Sequence, residues 1–185
     1  MTREASPRIA VLGAGPIGLE AALYARYLGY QVDVWERGQD VASNMRRWGR
    51  VKLFTPFAMN ATSLGAAAIG AHSENWRRPD ADSQLTGAEH VARYLQPLAD
   101  TDLLADSLHL GAEVAAVSRR DWLKGERVGD PRRGESPFRL LLRSAGGEQE
   151  SAADVVIDCT GVFGNHNGMG QGGAAAIGEQ AAAPH

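Results

Sequence analysis

The sequence predicts an α/β fold: a parallel sheet covered by helices, with a small antiparallel β excursion inserted before the last strand. Three observations predict it. A short apolar run closes on a glycine-rich turn and opens directly into a helix. A second β-rich run comes next, so that strand, turn, helix and strand fall within about 30 residues, the size of one βαβ unit. Further along, two β-rich runs flank a polar, Gly/Pro-bearing stretch ahead of a final apolar strand.

In chain order, Arg8-Ile9-Ala10-Val11-Leu12 is apolar without alternation and reads as a buried parallel strand. Pro16 opens the helix, because a first helical turn does not need its missing N–H. Ile17, Ala21, Tyr24 and Leu28, at spacings of 4, 3 and 4, mark an apolar helical face. Gly29 stands where a helix end favours a left-handed residue, and Gln31 to Glu36 is the second strand. From Arg37 to Pro79 the pattern is irregular, with helices expected near Val41–Trp48 and Leu64–Ala71. Thr86 and Glu89 form a capping box for a helix whose buried face is Val91, Tyr94, Leu95 and Leu98. Leu108–Val117 and Phe138–Arg143 read as strands joined by an exposed polar connection, Asp121–Ser136. Ala153–Asp158 is the last strand and runs into Thr160-Gly161; Gly168–His185 is a Gly/Ala-rich tail with no periodic apolar face.

Composition narrows the function classes. The 185 residues are 44% hydrophobic and 22% charged, an ordinary globular balance that suits one well-buried domain. A net charge of −3 lacks the basic footprint of a nucleic-acid binder. The longest apolar stretch, Ala61–Ala71, is broken by Ser and Gly, so no membrane span is expected. Cys159 is the single cysteine, which leaves no paired-thiol centre and suggests a reducing, cytoplasmic setting. Twenty-two glycines, about 12% against a usual ~7%, point to tight turns and close backbone approaches.

The main chemical signal is Gly13-Ala14-Gly15-Pro16-Ile17-Gly18, a G-x-G-x-x-G with a strand before it, a helix opening inside it and an acid ending the next strand. Gly13 permits the tight turn, Gly15 lets the backbone approach a pyrophosphate, and Gly18 lets the helix lie close to the sheet. The helix N-terminus offers N–H groups and partial positive charge to phosphates. Glu36, 18 residues after Gly18, is placed to accept hydrogen bonds from an adenosine ribose. Its carboxylate opposes a 2′-phosphate, which favours FAD or NAD over NADP at this turn. A second match, Gly168, Gly170 and Gly173, has no strand before it and reads as a chance product of local glycine content.

The chain beyond the βαβ unit chooses between the two dinucleotides. The segments GAGPIGLEAALYARYLGYQVDVWERG, VARYLQPLAD ahead of LHLGAEVAAVSR, and ADVVIDCTG stand in the order found in flavoproteins with two dinucleotide-binding domains. Over most of Arg8–Gly164 the chain therefore resembles the FAD-binding N-terminal part of that superfamily, which includes pyridine nucleotide-disulfide oxidoreductases and flavin-containing monooxygenases. The resemblance implies a Rossmann-like FAD-binding domain over residues 1–167, followed by a loosely ordered tail over 168–185. It implies that Gly13, Gly15, Pro16, Ile17 and Gly18 hold the FAD pyrophosphate, that Glu36 takes the ribose with Arg37 also at the cofactor, and that the Val114 backbone meets the adenine. Thr160 and Gly161 would bring the chain close to the cofactor. Trp48 and Thr55 lie where such proteins pass near the flavin, although a core tryptophan and a Thr-Pro turn explain them equally well.

The departures also carry information. The dithiol of the disulfide reductases is absent, and Cys159, at an apolar strand end, reads as a buried inert thiol; both favour the monooxygenase-like or another oxidase branch over thiol reductases. The family's NAD(P)H-binding domain and flavin-closing C-terminal segment are expected outside this sequence, in a further domain or a partner chain. The implied activity is an FAD-dependent, NAD(P)H-linked oxidoreductase acting on a small-molecule substrate. An NAD-binding dehydrogenase domain and a non-catalytic nucleotide-binding module are the alternatives. His72, His90, His109 and His166 share no metal-ligand spacing; His90 and His109 read as structural and His166 as a loop residue. Arg46, Arg47, Arg50 and Lys52 read as a solvated basic face. No residue qualifies as a catalytic acid or base.

Overall fold

The computed structural model describes residues 6–165 and 167–182; His166 lies outside them. Four strands, β1 (Arg8–Leu12), β2 (Gln31–Glu36), β3 (Leu108–Leu110) and β7 (Val155–Asp158), form a parallel sheet in the order β3-β2-β1-β7. Three more, β4 (Glu113–Arg119), β5 (Phe138–Ser144) and β6 (Gly147–Ala153), form a separate antiparallel sheet in the order β4-β5-β6. The expected fold class, a parallel α/β sheet with a small antiparallel excursion, is therefore the observed one.

Alternation along β1 explains the layering, since neighbouring strand residues point to opposite faces. Ile9 and Val11 join Val32 and Val34 in the larger core, under helix α1 (Pro16–Tyr27) and the helical stretch 87–99. Ala10 and Leu12 join Trp35 on the other face, packed against Leu140, Leu142 and Ala153 of the excursion. The parallel sheet is thus covered on both sides, as parallel sheets require. The other helices of the first half, α2 (Ser43–Arg47), α3 (Phe57–Asn60) and α4 (Ser63–His72), fill the irregular stretch.

The capping box forms as expected. The Glu89 N–H donates to Thr86 Oγ1 and Glu89 Oε2 accepts from the Thr86 N–H, starting α5 (Gly87–His90). A π-helical turn, Val91–Leu95, then leads into α6 (Gln96–Ala99), an irregularity with no sequence signal. Val91, Tyr94, Leu95 and Leu98 are all buried.

Three strand and helix expectations need correction. The apolar face assigned to α1 faces solvent: Ile17 is 72%, Tyr24 59% and Leu28 53% exposed. The helix buries Gly18, Leu19, Ala22, Leu23 and Ala25 instead, a set rich in small residues that let it lie close to the sheet. Leu108–Val117 is two strands, because Gly111 at φ +68° turns the chain from the parallel sheet into the excursion. Ala153–Asp158 is likewise divided between the end of β6 and β7, and most of β6 gives no strand signal because its sequence is polar. The remaining α-helices of the described residues are short: α7 (Arg132–Glu135), inside the exposed β4–β5 connection, and α8 (Glu179–Ala182). Among the described residues, no helix is long and apolar enough to cross a membrane.

Candidate functional site

The carboxyl ends of β1, β2 and β7 open onto one cleft, the place where open α/β sheets bind ligands. Its first chamber, about 320 Å³, is lined by Gly13, Glu36, Arg37, Val114, Thr160 and Gly161, among others. The second, about 300 Å³, shares Gly13, Glu36, Thr160 and Gly161 and adds Gly15, Pro16, Ile17 and Trp48. Of the twelve positions drawn from the sequence, ten line the two chambers, and Gly18 lies buried behind them. Thr55 is not among the lining residues. Its hydroxyl donates to Asn60 Oδ1 at 2.8 Å, and Asn60 Nδ2 donates back to the Thr55 carbonyl at 2.9 Å, closing a turn.

Local chemistry shapes the glycine turn. Gly13 takes φ +96°, and its N–H donates to the Trp35 carbonyl at 2.8 Å. A Cβ at Gly18 would lie 1.9 Å from the Gly13 carbonyl oxygen, so only glycine lets α1 start this close to the strand. A Cβ at Gly15 would meet nothing within 4 Å, which leaves that backbone open to a ligand. Gly15 is also the helix N-cap, with no side chain capping it, and Pro16 begins the first turn. The turn therefore presents an uncapped helix start with an unobstructed approach, the arrangement that suits an anion.

Glu36 has a second role that the sequence does not reveal. Its Oε2 accepts from the Ala14 N–H and its Oε1 from the Gly38 N–H, both at 2.8 Å. The carboxylate thus pins the glycine turn to the end of β2. A carboxylate has about four acceptor positions, so two donors leave room for ribose hydroxyls. On the opposite wall, Asp158 accepts from the Thr160 hydroxyl (2.7 Å) and N–H (3.0 Å). The hydroxyl bond, then the backbone bond, hold the Asp158 carboxyl below its usual range. This fixes Thr160 and leads into Gly161 at φ +64°.

Cys159 is half-buried, not buried, and lines the second chamber. Burial, with the Asp158 charge beside it, raises its thiol pKa, so the group is held as the weakly nucleophilic thiol. Asn44, Glu113 and Phe163 also line the cleft, and none of them was expected there. Asn44 lies in the short helix α2 and Phe163 in a loop, neither with a motif, while Glu113 stands one residue before Val114 and is within reach of the same reasoning. Arg47 stands 5.1 Å from the centroid of the Phe163 ring, so this member of the basic face leans on the cleft wall. The second glycine match forms no such cradle. The N–H groups of Gly168, Gly170 and Gly173 donate to the carbonyls of Gly173, Ala174 and Gly170, a turn closed on itself.

Comparison with known proteins gives a consistent picture. Residues 8–49 match the family model of pyridine nucleotide-disulphide oxidoreductases. No curated protein matches the chain. Among solved structures, it is similar to the bacillithiol disulfide reductase Bdr from Bacillus cereus, with a TM-score of 0.62 and 16% identity over 89% of this chain and 42% of that one. It is also similar to a steroid monooxygenase bound to NADP (TM-score 0.59, 21% identity, 85% of this chain and 26% of that one). A third, the OTEMO complex with FAD and NADP, gives a TM-score of 0.57 at 20% identity, covering 86% and 26%. The chain thus spans less than half the length of these proteins. The resemblance to the FAD-binding part of two-dinucleotide-domain flavoproteins holds in the fold.

Proposed function

We propose that this chain is the FAD-binding part of an FAD-dependent oxidoreductase, linked to NAD(P)H and monooxygenase-like rather than a disulfide reductase. The observation that carries the reading is the continuity of the cleft from Val114 and Glu36, past the open backbone of Gly15, to Trp48. That path suits an elongated dinucleotide, with adenosine at the Val114 end. The matching family model and the flavoprotein neighbours support the same reading.

When bound, the flavin supplies the electron chemistry, and the protein contributes orientation and electrostatics. Glu36 accepts ribose hydroxyls while keeping Ala14 and Gly38 in place. The uncapped start of α1 neutralises phosphate charge, and Gly15 sets how closely the backbone approaches it. Val114, followed by a β-bulge before Ala116, presents its backbone to the adenine. Trp48, packed against the main core and over Gly87, supports the far end. Cys159, the single cysteine of this sequence, is held as the weakly nucleophilic thiol, which supports the monooxygenase-like branch and a reducing, cytoplasmic setting.

Adding FAD to the purified chain, removing the excess, then denaturing and identifying what is released tests the reading. The expected result is the visible flavin band before denaturation and FAD afterwards. Colourless protein that binds NADH would overturn it in favour of an NAD-dependent dehydrogenase domain.

A further inference from the structure

A third cavity, about 270 Å³, adjoins the second chamber and shares Pro16, Ile17 and Met45 with it. Besides these residues, Leu53 and Met59 give it apolar walls, and Glu20, Thr62 and His90 give it polar ones. Thr55 and Asn60, which hold each other, stiffen its rim.

Its chemistry is unbalanced in one direction. Glu20 Oε1 accepts from the Tyr94 hydroxyl, and Glu20 Oε2 accepts from Thr62 Oγ1 at 2.7 Å. The Thr62 N–H adds a weaker bond to Oε1 at 3.3 Å. Every one of these donors is neutral, and among the described residues no lysine or arginine lines the cavity. His90, 1% exposed, has an Nδ1 with no protein partner, and burial lowers its pKa, which keeps the ring neutral. Burial also raises the Tyr94 pKa, with Glu20 reinforcing it, so that hydroxyl stays a donor. A carboxylate among apolar walls, without a cation, is the complement of a positively charged group with an apolar body. The volume sits just below the usual range for drug-sized ligands, which restricts that body to a compact one.

We propose that this cavity binds a compact organic ammonium compound through Glu20 and holds it beside the cofactor cleft as the substrate of the oxidoreductase. The assignment as substrate rests on the cofactor reading above; the binding of the ammonium group does not.

Benzylammonium and its neutral counterpart benzyl alcohol, titrated calorimetrically into the full chain with and without FAD, test the proposal. Benzylammonium is expected to saturate and to bind about tenfold more weakly to Glu20→Gln, the scale of losing a charged hydrogen bond. Met59→Arg, at a rim position that is 72% exposed, leaves the Glu20 cluster intact and adds a repelling cation. It is expected to weaken benzylammonium severalfold and benzyl alcohol much less, and it decides the matter if Glu20→Gln does not fold. Equal binding of the two probes, or indifference to both substitutions, overturns the proposal, as does displacement of benzylammonium by FAD, which would make the cavity part of the cofactor's own footprint. FAD retained without benzylammonium binding refutes this proposal alone. Benzylammonium bound without FAD binding removes the substrate assignment and the cofactor reading together.

Discussion

One methyl group added at Gly15, and another added separately at Gly18, should act on different properties of the protein. At Gly18 the new Cβ would lie 1.9 Å from the Gly13 carbonyl oxygen and 3.0 Å from its carbon, both backbone atoms that cannot rotate away. Ordinary C···O approaches begin near ~3.3 Å, so α1 or the turn must move by about 1.4 Å. Overpacking of this kind costs about 1–3 kcal/mol, and contact with rigid backbone places Gly18→Ala at the upper end. With a urea slope of about 1–3 kcal/mol per molar, the apoprotein's midpoint should fall by about 1 M. At Gly15 the Cβ would meet nothing within 4 Å, and φ −79° with ψ −176° suits alanine. Gly15→Ala should leave apoprotein stability unchanged or raise it by about 0.4–1 kcal/mol through the unfolded chain. FAD affinity should nevertheless fall about tenfold or more, because the methyl group occupies the space a phosphate needs. Urea unfolding followed by tryptophan fluorescence, and FAD titration followed by flavin fluorescence, give the two readouts. Wild-type FAD affinity in Gly15→Ala, or wild-type apoprotein stability in Gly18→Ala, would refute the reasoning for that position.

Other expectations concern the rest of the site and the core. Glu36→Ala should reduce apoprotein stability as well as FAD affinity, each by about 1–3 kcal/mol, because the Ala14 and Gly38 N–H groups lose their acceptor; Glu36→Gln should recover part of both. Unchanged FAD affinity in Glu36→Ala would remove Glu36 from the ribose. His90 has a pKa lowered by burial, so the unfolded chain binds the extra proton as pH falls through about 6.5. Stability should therefore decline from pH 7 toward 5, and His90→Phe, beside Phe57 and Tyr94, should flatten that decline in urea melts. An unaltered slope would mean another group is responsible. Gly87→Ala should push on Trp48, whose ring would stand 2.8 Å from the new Cβ. Altered tryptophan emission together with weakened FAD retention would support Trp48 as a cofactor contact, and altered emission alone would leave it as core.

The legible parts of this protein are those whose signals are local. The glycine turn, its strand and Glu36 are set by steric needs that a few adjacent residues reveal, and the capping box at Thr86 is equally self-contained. The buried face of α1 is hidden because the helix is apolar on two sides. Periodicity favours the larger side chains Ile17, Tyr24 and Leu28, whereas close approach to the sheet requires Gly18, Ala22 and Ala25. Strand β6 escapes because most of its residues face solvent and therefore lack apolar alternation. Glu36 stands at the expected end of its strand, but its two backbone bonds depend on Ala14 and Gly38 coming together, which only the fold supplies. The Glu20–Tyr94–Thr62 cluster joins residues up to 74 positions apart, beyond the reach of any spacing rule.

The turn at Gly111 has a consequence for how the molecule would transmit a signal. Its N–H donates to the Gly38 carbonyl at 2.8 Å, and the next N–H, of Ala112, donates to the Glu36 carbonyl at 2.9 Å. The antiparallel sheet is therefore sewn onto the chain segment that carries Glu36. Local opening of β4 must loosen that seam, and a ligand that tightens Glu36 must resist the opening. Amide hydrogen exchange in the excursion should consequently slow when the cleft is filled, although much of that sheet touches no ligand. A sheet that looks like an ornament on a nucleotide fold is in this respect its strain gauge.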